Sequence, residues 1–480
     1  MKPYNCVHNY QVSHTVLFVF VVSFSAIMLR NMCILLSVVY TNVHAQVPRN
    51  CGKGPDGFQR PAVMAHRGLP GYELEHDYIG YDAAIAVGAQ YIEFDVTMTK
   101  DDQLIIVHDT YLDSEYNSSK VFPNLAKRLS LVPALDGDPI NFPDKKVWQH
   151  NLTYDQILKS SMCKDYDGYK KTYPGRKVIF SENGIVGEGA ERCLKPLRVI
   201  DATPKLEATR IQREKDGKSP FGLVVELKRP RFYEALGKDM PTPLAKALTK
   251  FTGHVIIQCF EPLYLQKMKE QEKKLTDDGT KAAGSPPWVY MLLTVDEQSF
   301  KGLNYPETKT GDFKDSMYTR AEALDIAVPD DVTKFDAYMS KISKYATIFA
   351  PWKRSLQPLT TFSLTRQEEF QTEAGQQRGR ALIESARKHG LETAPYTFRS
   401  DVNKLPRIYD GNAQAELKHY FELGVTGVFT DFANVAVRAA TDYCTTTTKP
   451  NLRVSGGVDS YLTRLPTLLA LLWTLVSDLL

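Results

Sequence analysis

The chain has 480 residues and a nearly balanced charge, with a formal net charge of +3. Hydrophobic residues make up 43% of it and charged residues 24%, a globular composition that excludes a wholly disordered or fibrous chain. No block of Lys and Arg marks a nucleic-acid-binding surface, so we expect no nucleic-acid partner.

The first 45 residues have the pattern of a secretory signal peptide. Apolar segments at 16–29 and 33–40 are separated by Arg30 and followed by a small-residue cleavage motif at 43–45. A membrane anchor is the alternative, but Arg30 interrupts the span that would cross a bilayer. We therefore predict export through the secretory pathway.

Short apolar segments then alternate with helix-length segments. The strand candidates are 62–66, 91–96, 104–108, 223–228, 255–260, 289–295, 347–350, 393–397 and 427–430. Helical patterns between them, such as 243–251, 261–275 and 365–389, indicate parallel pairing through βαβ units. The segment 97–103 is too short for a crossover helix, so it predicts a hairpin. The other strands predict an α/β fold, a TIM (β/α)₈ barrel with a hairpin extension on its second strand.

Residues 114–220 break this alternation and are rich in Lys, Asp, Gly, Pro and Tyr. We predict that they form a long insertion over one mouth of the barrel. Two sequons in this stretch predict N-glycosylation at Asn117 and Asn151.

The end of the chain has the order of a GPI-attachment signal over 456–480. Small residues, a more polar spacer and an apolar tail at 466–480 follow one another. We expect the barrel to occupy 46–455 and to reach the membrane through a lipid anchor at Ser455 or Gly456, outside the cell or on its surface. The alternative is a tail helix that packs on the protein.

Carboxylates at strand ends indicate a metal site, because the active residues of a barrel lie at the carboxyl ends of its strands. Glu93 and Asp95 share one face of the second strand, and Glu226 lies near the end of another. Buried carboxylates repel one another unless a cation lies between them, and oxygen ligands suit Ca²⁺ or Mg²⁺. The alternative is a structural ion network with Arg67 and Lys228.

His66 and His108 each end a strand beside a charged residue. A lone His in an apolar segment is more often a core residue. Two of them beside carboxylates, an Arg and a Lys suit phosphoryl chemistry, in which they act as base and acid. Counting back from a turn at 100–101 pairs Glu93 with His108, and Asp95 with Ile106, which places His108 beside the metal carboxylates.

A series of short motifs carries a family resemblance. It comprises His66-Arg67-Gly68, Gly71-Tyr72, Glu75-His76, Gly88-Ala89, Glu93-Phe94-Asp95, Thr99-Lys100-Asp101-Asp102 and His108-Asp109. Later segments extend it, namely Val225-Glu226-Leu227-Lys228, Gln258-Cys259-Phe260, Pro395-Tyr396-Thr397, Arg399-Ser400-Asp401 and Phe429-Thr430-Asp431-Phe432. The series resembles the signature of the glycerophosphodiester phosphodiesterase family, most closely its bacterial periplasmic type.

The resemblance implies a TIM barrel that hydrolyses small-molecule glycerophosphodiesters to sn-glycerol 3-phosphate and an alcohol. It implies one divalent cation, Ca²⁺ or Mg²⁺, on Glu93, Asp95 and Glu226, with His66 and His108 as the catalytic pair. The substrate-binding residues that we expect are Arg67, Lys228, Glu75, Gln258 and Tyr396. The sequence departs from the family at Leu74, where Pro is usual, and at Asp77, where Thr is usual.

Two other functions stay open. Secreted phospholipase D toxins resemble the same barrel and act on lysophospholipid or sphingolipid head groups, but the Glu75-His76 element favours the glycerophosphodiesterase. A non-catalytic GPI-anchored surface protein would have lost a catalytic His or a carboxylate, and none is missing.

The cysteines predict two disulfides and one thiol. The first and last strands of a closed barrel are neighbours, so we predict a Cys51–Cys444 bridge. Cys163 and Cys193, both in the insertion, are the next predicted pair. Cys259 lies in an apolar segment and is predicted to be a buried free thiol.

Overall fold

A computed structural model of the chain describes residues 51–113, 115–125, 146–163, 180–181, 184–185, 193–294, 327–356, 373–401 and 404–445. The predicted signal peptide and GPI signal lie outside these residues and stay predictions. The chain divides into two units, Met1–Ala440 and Thr441–Leu480, and the first contains the barrel. Among the described residues, none of the helices is both long enough and apolar enough to cross a membrane.

Parallel strands form a closed barrel within the described part of the chain. They are β1 (Ala62–Ala65), β2 (Tyr91–Met98), β3 (Gly222–Leu227), β4 (Val255–Cys259), β5 (Val289–Thr294), β6 (Ile348–Pro351), β7 (Glu392–Thr393) and β8 (Gly427–Thr430). Each pairs with the next from β1 to β7, and β8 pairs with β1. The N–H of Thr426 donates to the carbonyl of Thr393 (2.9 Å), and that of Phe398 to Phe429 (2.8 Å), which joins β7 to β8. The ring confirms the predicted TIM barrel.

Helices alternate with the strands. They are α1 (Tyr78–Ala86), α2 (Ser118–Val121), α3 (Tyr154–Ile157), α4 (Val199–Lys215), α5 (Pro230–Ala235), α6 (Pro241–Leu248), α7 (Pro262–Asp277), α8 (Phe335–Ile342), α9 (Lys353–Leu356), α10 (Glu373–Lys388), α11 (Ala413–Leu423) and α12 (Ala433–Thr445). All residues of β2, β3 and β4 are buried, so both faces of this part of the sheet are covered. The helix α4 lies within the predicted insertion and leads into β3, as a crossover helix does.

Short elements complete the description. Strand pieces outside the barrel are Gly52–Lys53, Gln59–Arg60, Leu104–Ile106, Met162–Cys163, Phe180–Ser181, Gly184–Ile185, Cys193–Leu194 and Leu197–Arg198, and 3-10 turns are Gln149–Asn151, Val332–Lys334 and Arg407–Tyr409. Tyr116, Val147 and Ile157 of the insertion form a buried cluster with Leu112, which precedes it, and with Leu74 from the loop after β1. The described part of the insertion therefore packs against the return arm of the hairpin, through Ile105 and Val107.

The predicted hairpin on β2 is confirmed, but its predicted register is wrong by one residue. Val96, not Asp95, lies opposite Ile106. The chain turns through residues 100–102 with Asp102 at a φ of 58°, the left-handed conformation typical of a three-residue loop. The prediction counted from a two-residue turn. His108 therefore does not lie opposite Glu93 but beyond the end of the paired arm.

Several cysteines of the chain form disulfides. Cys51, Cys193 and Cys444 are disulfide-bonded. Cys193 lies opposite Cys163 in an antiparallel strand pair. The pairings themselves stay predictions, whereas Cys259 is a buried free thiol, as predicted.

An ion cluster closes the amino-terminal end of the barrel. Arg60 donates to both carboxylate oxygens of Asp56 (3.0 Å each) and to Glu392 at the start of β7 (2.9 Å). Tyr91, the first residue of β2, donates its hydroxyl to the same Asp56. The segment before β1 is thus linked to β7 through Arg60 and to β2 through Asp56.

We expect Arg60→Ala to lower the free energy of unfolding by about 3–5 kcal/mol, because it leaves Asp56 and Glu392 without their cation. Urea unfolding followed by circular dichroism measures the change. Arg60→Lys keeps a positive charge and should lose less. A loss under about 1 kcal/mol for Arg60→Ala, the range of surface ion pairs, would contradict a structural role for the cluster.

Candidate active site

Three predicted metal ligands converge at the carboxyl end of the barrel. Asp95 of β2 lies in register with Glu226 of β3, which lies in register with Gln258 of β4. Glu93 and Asp95 are 0% exposed and Glu226 is 5% exposed. One oxygen from each of the three carboxylates lies within 4.8 Å of the others. The parallel register of neighbouring strands thus brings these side chains together.

The three carboxyl groups cannot all be ionised without additional positive charge. Burial, with repulsion from Asp95 and Glu226, raises the pKa of Glu93 well above its usual value. Burial also raises the pKa of Glu226 to about 7, against the opposing charge of Lys228. Burial acts in the same direction on Asp95, but nearby positive charges, that of Lys228 first, hold its pKa well below its usual value. Buried, crowded carboxylate oxygens of this kind fit a hard divalent cation.

The alternative ion network is also present. Arg67 Nε lies 3.2 Å from Asp95, and Lys228 Nζ lies 3.1 Å from Asp95 and 2.6 Å from Glu226. Within the described part of the chain, however, Glu93 forms no ion pair. The network therefore stabilises two of the carboxylates and leaves the third for an added cation.

The turn after β1 holds Arg67 over these carboxylates. Arg67 has a φ of 55°, and its backbone N–H donates to Glu93 (2.7 Å). Its Nη1 donates to Glu75 (3.0 Å), as the side chain also approaches Asp95. Gly68 follows at a φ of 93°, where a Cβ would lie 3.1 Å from the backbone of α1. The Arg67 side chain is 15% exposed, so its guanidinium can bind an anion at the mouth of the barrel.

Each predicted catalytic histidine is oriented by a carboxylate. His66 Nδ1 lies 2.6 Å from Asp431 at the end of β8, and Asp431 also lies 3.2 Å from Arg399. His108 Nδ1 lies 2.8 Å from Asp109. A carboxylate accepts the Nδ1 proton, so Nε2 of each ring keeps its lone pair.

Both histidines are neutral bases in this environment. Burial lowers the pKa of His66 and of His108, and the charge of Arg67 lowers each further. His108 also interacts electrostatically with Asp95 and Lys228. It therefore lies near the metal carboxylates despite the shifted register. The N–H of Val107 still donates to the carbonyl of Asp95 (3.1 Å), and the chain bends at residues 108–110.

Sequence reasoning missed several partners in the site. His76 Nε2 lies 3.0 Å from Asp95, with the hydroxyl of Tyr81 3.5 Å from its Nδ1. The sequence showed His76 as part of a motif but gave no sign of this contact. It showed Asp431 and Arg399 as polar residues at or beyond strand ends, without a role. The pairing of β8 with β1 was the available signal, since it places Asp431 beside His66.

The two departures from the family pattern have structural roles. Leu74 is fully buried and packs with Leu112 in the cluster between the hairpin arm and the insertion. Asp77 caps α1 by accepting the N–H of Ile79 (3.1 Å). Both Asp and Thr are favourable N-cap residues, so this change keeps the helix start intact.

Two predicted substrate-binding side chains contact the protein instead of facing open space. The amide of Gln258 donates to Glu93 (2.9 Å) and more weakly to Glu226 (3.4 Å). The hydroxyl of Tyr396 donates to the carbonyl of Thr294 (3.0 Å). Their roles toward a substrate stay predictions, as do those of the other proposed site residues.

Comparisons with known proteins find similarity to one enzyme family. The glycerophosphoryl diester phosphodiesterase family model matches residues 66–288. A glycerophosphodiester phosphodiesterase of Haemophilus influenzae is 23% identical over 385 residues, which cover 78% of this chain and 88% of that protein. One of Arabidopsis thaliana is 24% identical over 398 residues, which cover 80% and 87%.

A solved structure gives a weaker likeness. It is an Oleispira antarctica phosphodiesterase in complex with the product sn-glycerol-3-phosphate, with 13% identity, a TM-score of 0.36, and coverage of 79% of this chain and 96% of that one. We draw nothing from a superposition this loose. The matched segment 66–288 contains both histidines, Arg67, Lys228 and all three metal carboxylates. Residues 66–288 thus match the glycerophosphoryl diester phosphodiesterase family, and the chain is similar over most of its length to proteins named glycerophosphodiester phosphodiesterase.

Proposed function

We propose that this protein is a metal-dependent enzyme that hydrolyses glycerophosphodiesters to sn-glycerol 3-phosphate and an alcohol. One observation carries the proposal: three crowded, buried carboxylates lie beside an arginine and two carboxylate-oriented histidines at the mouth of the barrel. The match of residues 66–288 to the family model and the names of the similar proteins support the same reaction. Water, or a neighbouring hydroxyl of the substrate, is the attacking group.

Glu93, Asp95 and Glu226 would hold one divalent cation, Ca²⁺ or Mg²⁺. When bound, the cation supplies positive charge against the negative charge that develops on the phosphate oxygens. Arg67 binds the same phosphate from the turn after β1. Lys228 keeps Asp95 and Glu226 in place.

The histidines move the protons. A neutral Nε2 on one ring takes the proton of the attacking hydroxyl. The other ring takes up a proton from solvent at Nε2 before the reaction and gives it to the oxygen of the leaving alcohol, and the first ring then returns its proton to solvent. Asp431 and Asp109 act through His66 and His108 as positioning residues, because they fix which nitrogen carries the resting proton.

Release of sn-glycerol 3-phosphate from glycerophosphodiesters tests the function. We expect the mature protein to release this product. Release should stop when EDTA removes the cation and should resume when Ca²⁺ or Mg²⁺ is added. Lysophosphatidylcholine belongs in the same assay. Cleavage of that lipid alone would favour phospholipase D chemistry, and no cleavage of any substrate would favour a surface protein without catalytic activity.

Substitution of a metal ligand should raise the cation concentration that the enzyme needs for activity. We expect Glu93→Ala to need a higher cation concentration, about 10–100-fold, and to recover part of its activity there. Activity titrated with Mg²⁺ or Ca²⁺ measures the shift. The exposed Glu270 offers a matched control, since Glu270→Ala should leave the titration unchanged. A Glu93→Ala enzyme with the cation requirement of the wild type would contradict the site.

Loss of either catalytic histidine should remove turnover without unfolding the chain. We expect His66→Ala and His108→Ala each to lower kcat by about 10²–10⁴-fold, the usual contribution of general acid–base catalysis. Circular dichroism should show an unchanged fold. His389, which pairs with Asp336 at the surface, supplies the control substitution His389→Ala. Comparable kcat values for all of these variants would rule out the roles given to the pair.

We also propose that the protein is exported, glycosylated and held at the cell surface by a GPI anchor. The patterns at the two ends support this, as do the disulfide-bonded cysteines, which indicate an oxidising compartment. Asn151 is exposed, whereas Asn117 is half-buried and its side-chain oxygen accepts the N–H of Ser161 (2.8 Å). Asn151 is therefore the better glycan acceptor of the two.

Treatment of intact cells with a phosphatidylinositol-specific phospholipase tests the anchor. We expect the protein to be released into the medium, because a GPI-linked chain keeps no hydrophobic tail. Immunoblotting of medium and membranes measures the release. Retention on the membranes would favour the tail-helix alternative.

A further inference from the structure

A second group of titratable side chains lies beside the metal carboxylates. It consists of His108, Asp109 and Glu115, whose nitrogen or oxygen atoms lie within 4.8 Å of one another. Asp109 orients His108, but Glu115 has no part in the mechanism above. The backbone N–H of Glu115 donates to the carbonyl of Leu112 (3.2 Å), which fixes its position at the start of the insertion.

The carboxyl group of Glu115 is buried without adequate compensation. The residue is 9% exposed, and within the described part of the chain its Oε2 has no hydrogen-bond partner. Burial, with repulsion from Glu75 and Asp109, raises the pKa of Glu115 well above its usual value. Burying a carboxyl in this way is costly unless something pairs with it. The position therefore favours a ligand that brings positive charge.

The cationic side chains of the site are already paired with other carboxylates. Arg67 is bound to Glu75 and Asp95, and Lys228 to Asp95 and Glu226. The charge of Arg67 also acts on Glu115, but the pKa of that carboxyl still lies well above its usual value. Positive charge brought by a ligand would relieve the repulsion that remains.

The geometry of the reaction indicates which part of the substrate reaches Glu115. His66 bonds to Asp431 at the end of β8, whereas His108 interacts with Lys228 just after β3, so the two rings approach from different sides. In phosphoryl transfer the attacking and leaving oxygens are roughly in line, on opposite sides of the phosphorus. If His108 protonates the leaving oxygen, the rest of the leaving alcohol lies beside Glu115.

We propose that Glu115, with Asp109, binds the positively charged head group of the leaving alcohol. The enzyme then prefers glycerophosphodiesters whose alcohol bears an ammonium group, such as choline or ethanolamine, over those with an uncharged alcohol. A carboxylate and an ammonium in a buried place attract each other, and the charge of the ligand offsets part of the cost of burying Glu115. This specificity rests on the proposed function and refines it.

Paired substrates that differ in charge but not in shape test the proposal. We would measure kcat/KM for glycerophosphocholine and for its uncharged 3,3-dimethylbutyl analogue, with glycerophosphoglycerol as a second uncharged substrate. We expect the wild type to prefer the choline substrate. Glu115→Gln should lower kcat/KM for that substrate by about tenfold or more and leave the uncharged substrates within about twofold.

The control variants separate charge from folding. Glu115→Asp keeps the charge and should retain most of the preference, and Glu270→Gln, at the surface, should retain all of it. If Glu115→Gln does not fold, the wild-type preference for choline over its uncharged analogue still decides the matter. Equal wild-type rates on the two would overturn the proposal.

Other outcomes also overturn it, each in a recognisable way. An equal loss on every substrate would mean that Glu115 contacts the shared glycerol phosphate. An equal loss that extra Mg²⁺ or Ca²⁺ relieves would assign the three residues to a second metal ion. No turnover of any glycerophosphodiester by the wild type would contradict the proposed function itself, which distinguishes that failure from a failure of head-group recognition.

Discussion

Repulsion between three buried carboxyl groups is the constraint on which the site depends. Glu93, Asp95 and Glu226 lie within a few ångströms of one another, and most of the side chains around them reduce that repulsion. Lys228 and His76 contact Asp95. The side-chain amide of Gln258 and the backbone N–H of Arg67 both donate to Glu93. Such an arrangement is stable when positive charge is added, and positive charge is also what a phosphodiester requires.

The barrel meets this constraint through register and closure. Parallel register between β2, β3 and β4 sets the carboxylates and Gln258 at one level. Closure of β8 onto β1 brings Asp431 to His66, although the two are far apart in the sequence. His108 comes from outside the wall, on the arm that returns along β2. The site therefore depends both on the barrel and on the hairpin added to it.

The sequence predicted best what depends on local pattern. Apolar segments alternating with helical ones gave the barrel, and the spacing of Glu93 and Asp95 on one strand gave the shared face. The predicted register of the hairpin was wrong because the loop contains three residues rather than two. The third, Asp102, adopts a left-handed conformation, which counting along the sequence does not show. The contact of His76 with Asp95 joins distant parts of the chain and needs the folded structure. Leu74 and Asp77 looked like departures from a family pattern, but packing and helix capping account for both.

The central claim is that the carboxylate group holds one divalent cation rather than acting only as an ion network. Calorimetric titration of metal-free protein with Ca²⁺ and with Mg²⁺, in the wild type and in Glu226→Ala, measures this most directly. The structure leads us to expect one ion per chain in the wild type and greatly weakened binding in the variant. Absence of binding in the wild type, together with full hydrolysis by the metal-free protein, would contradict it.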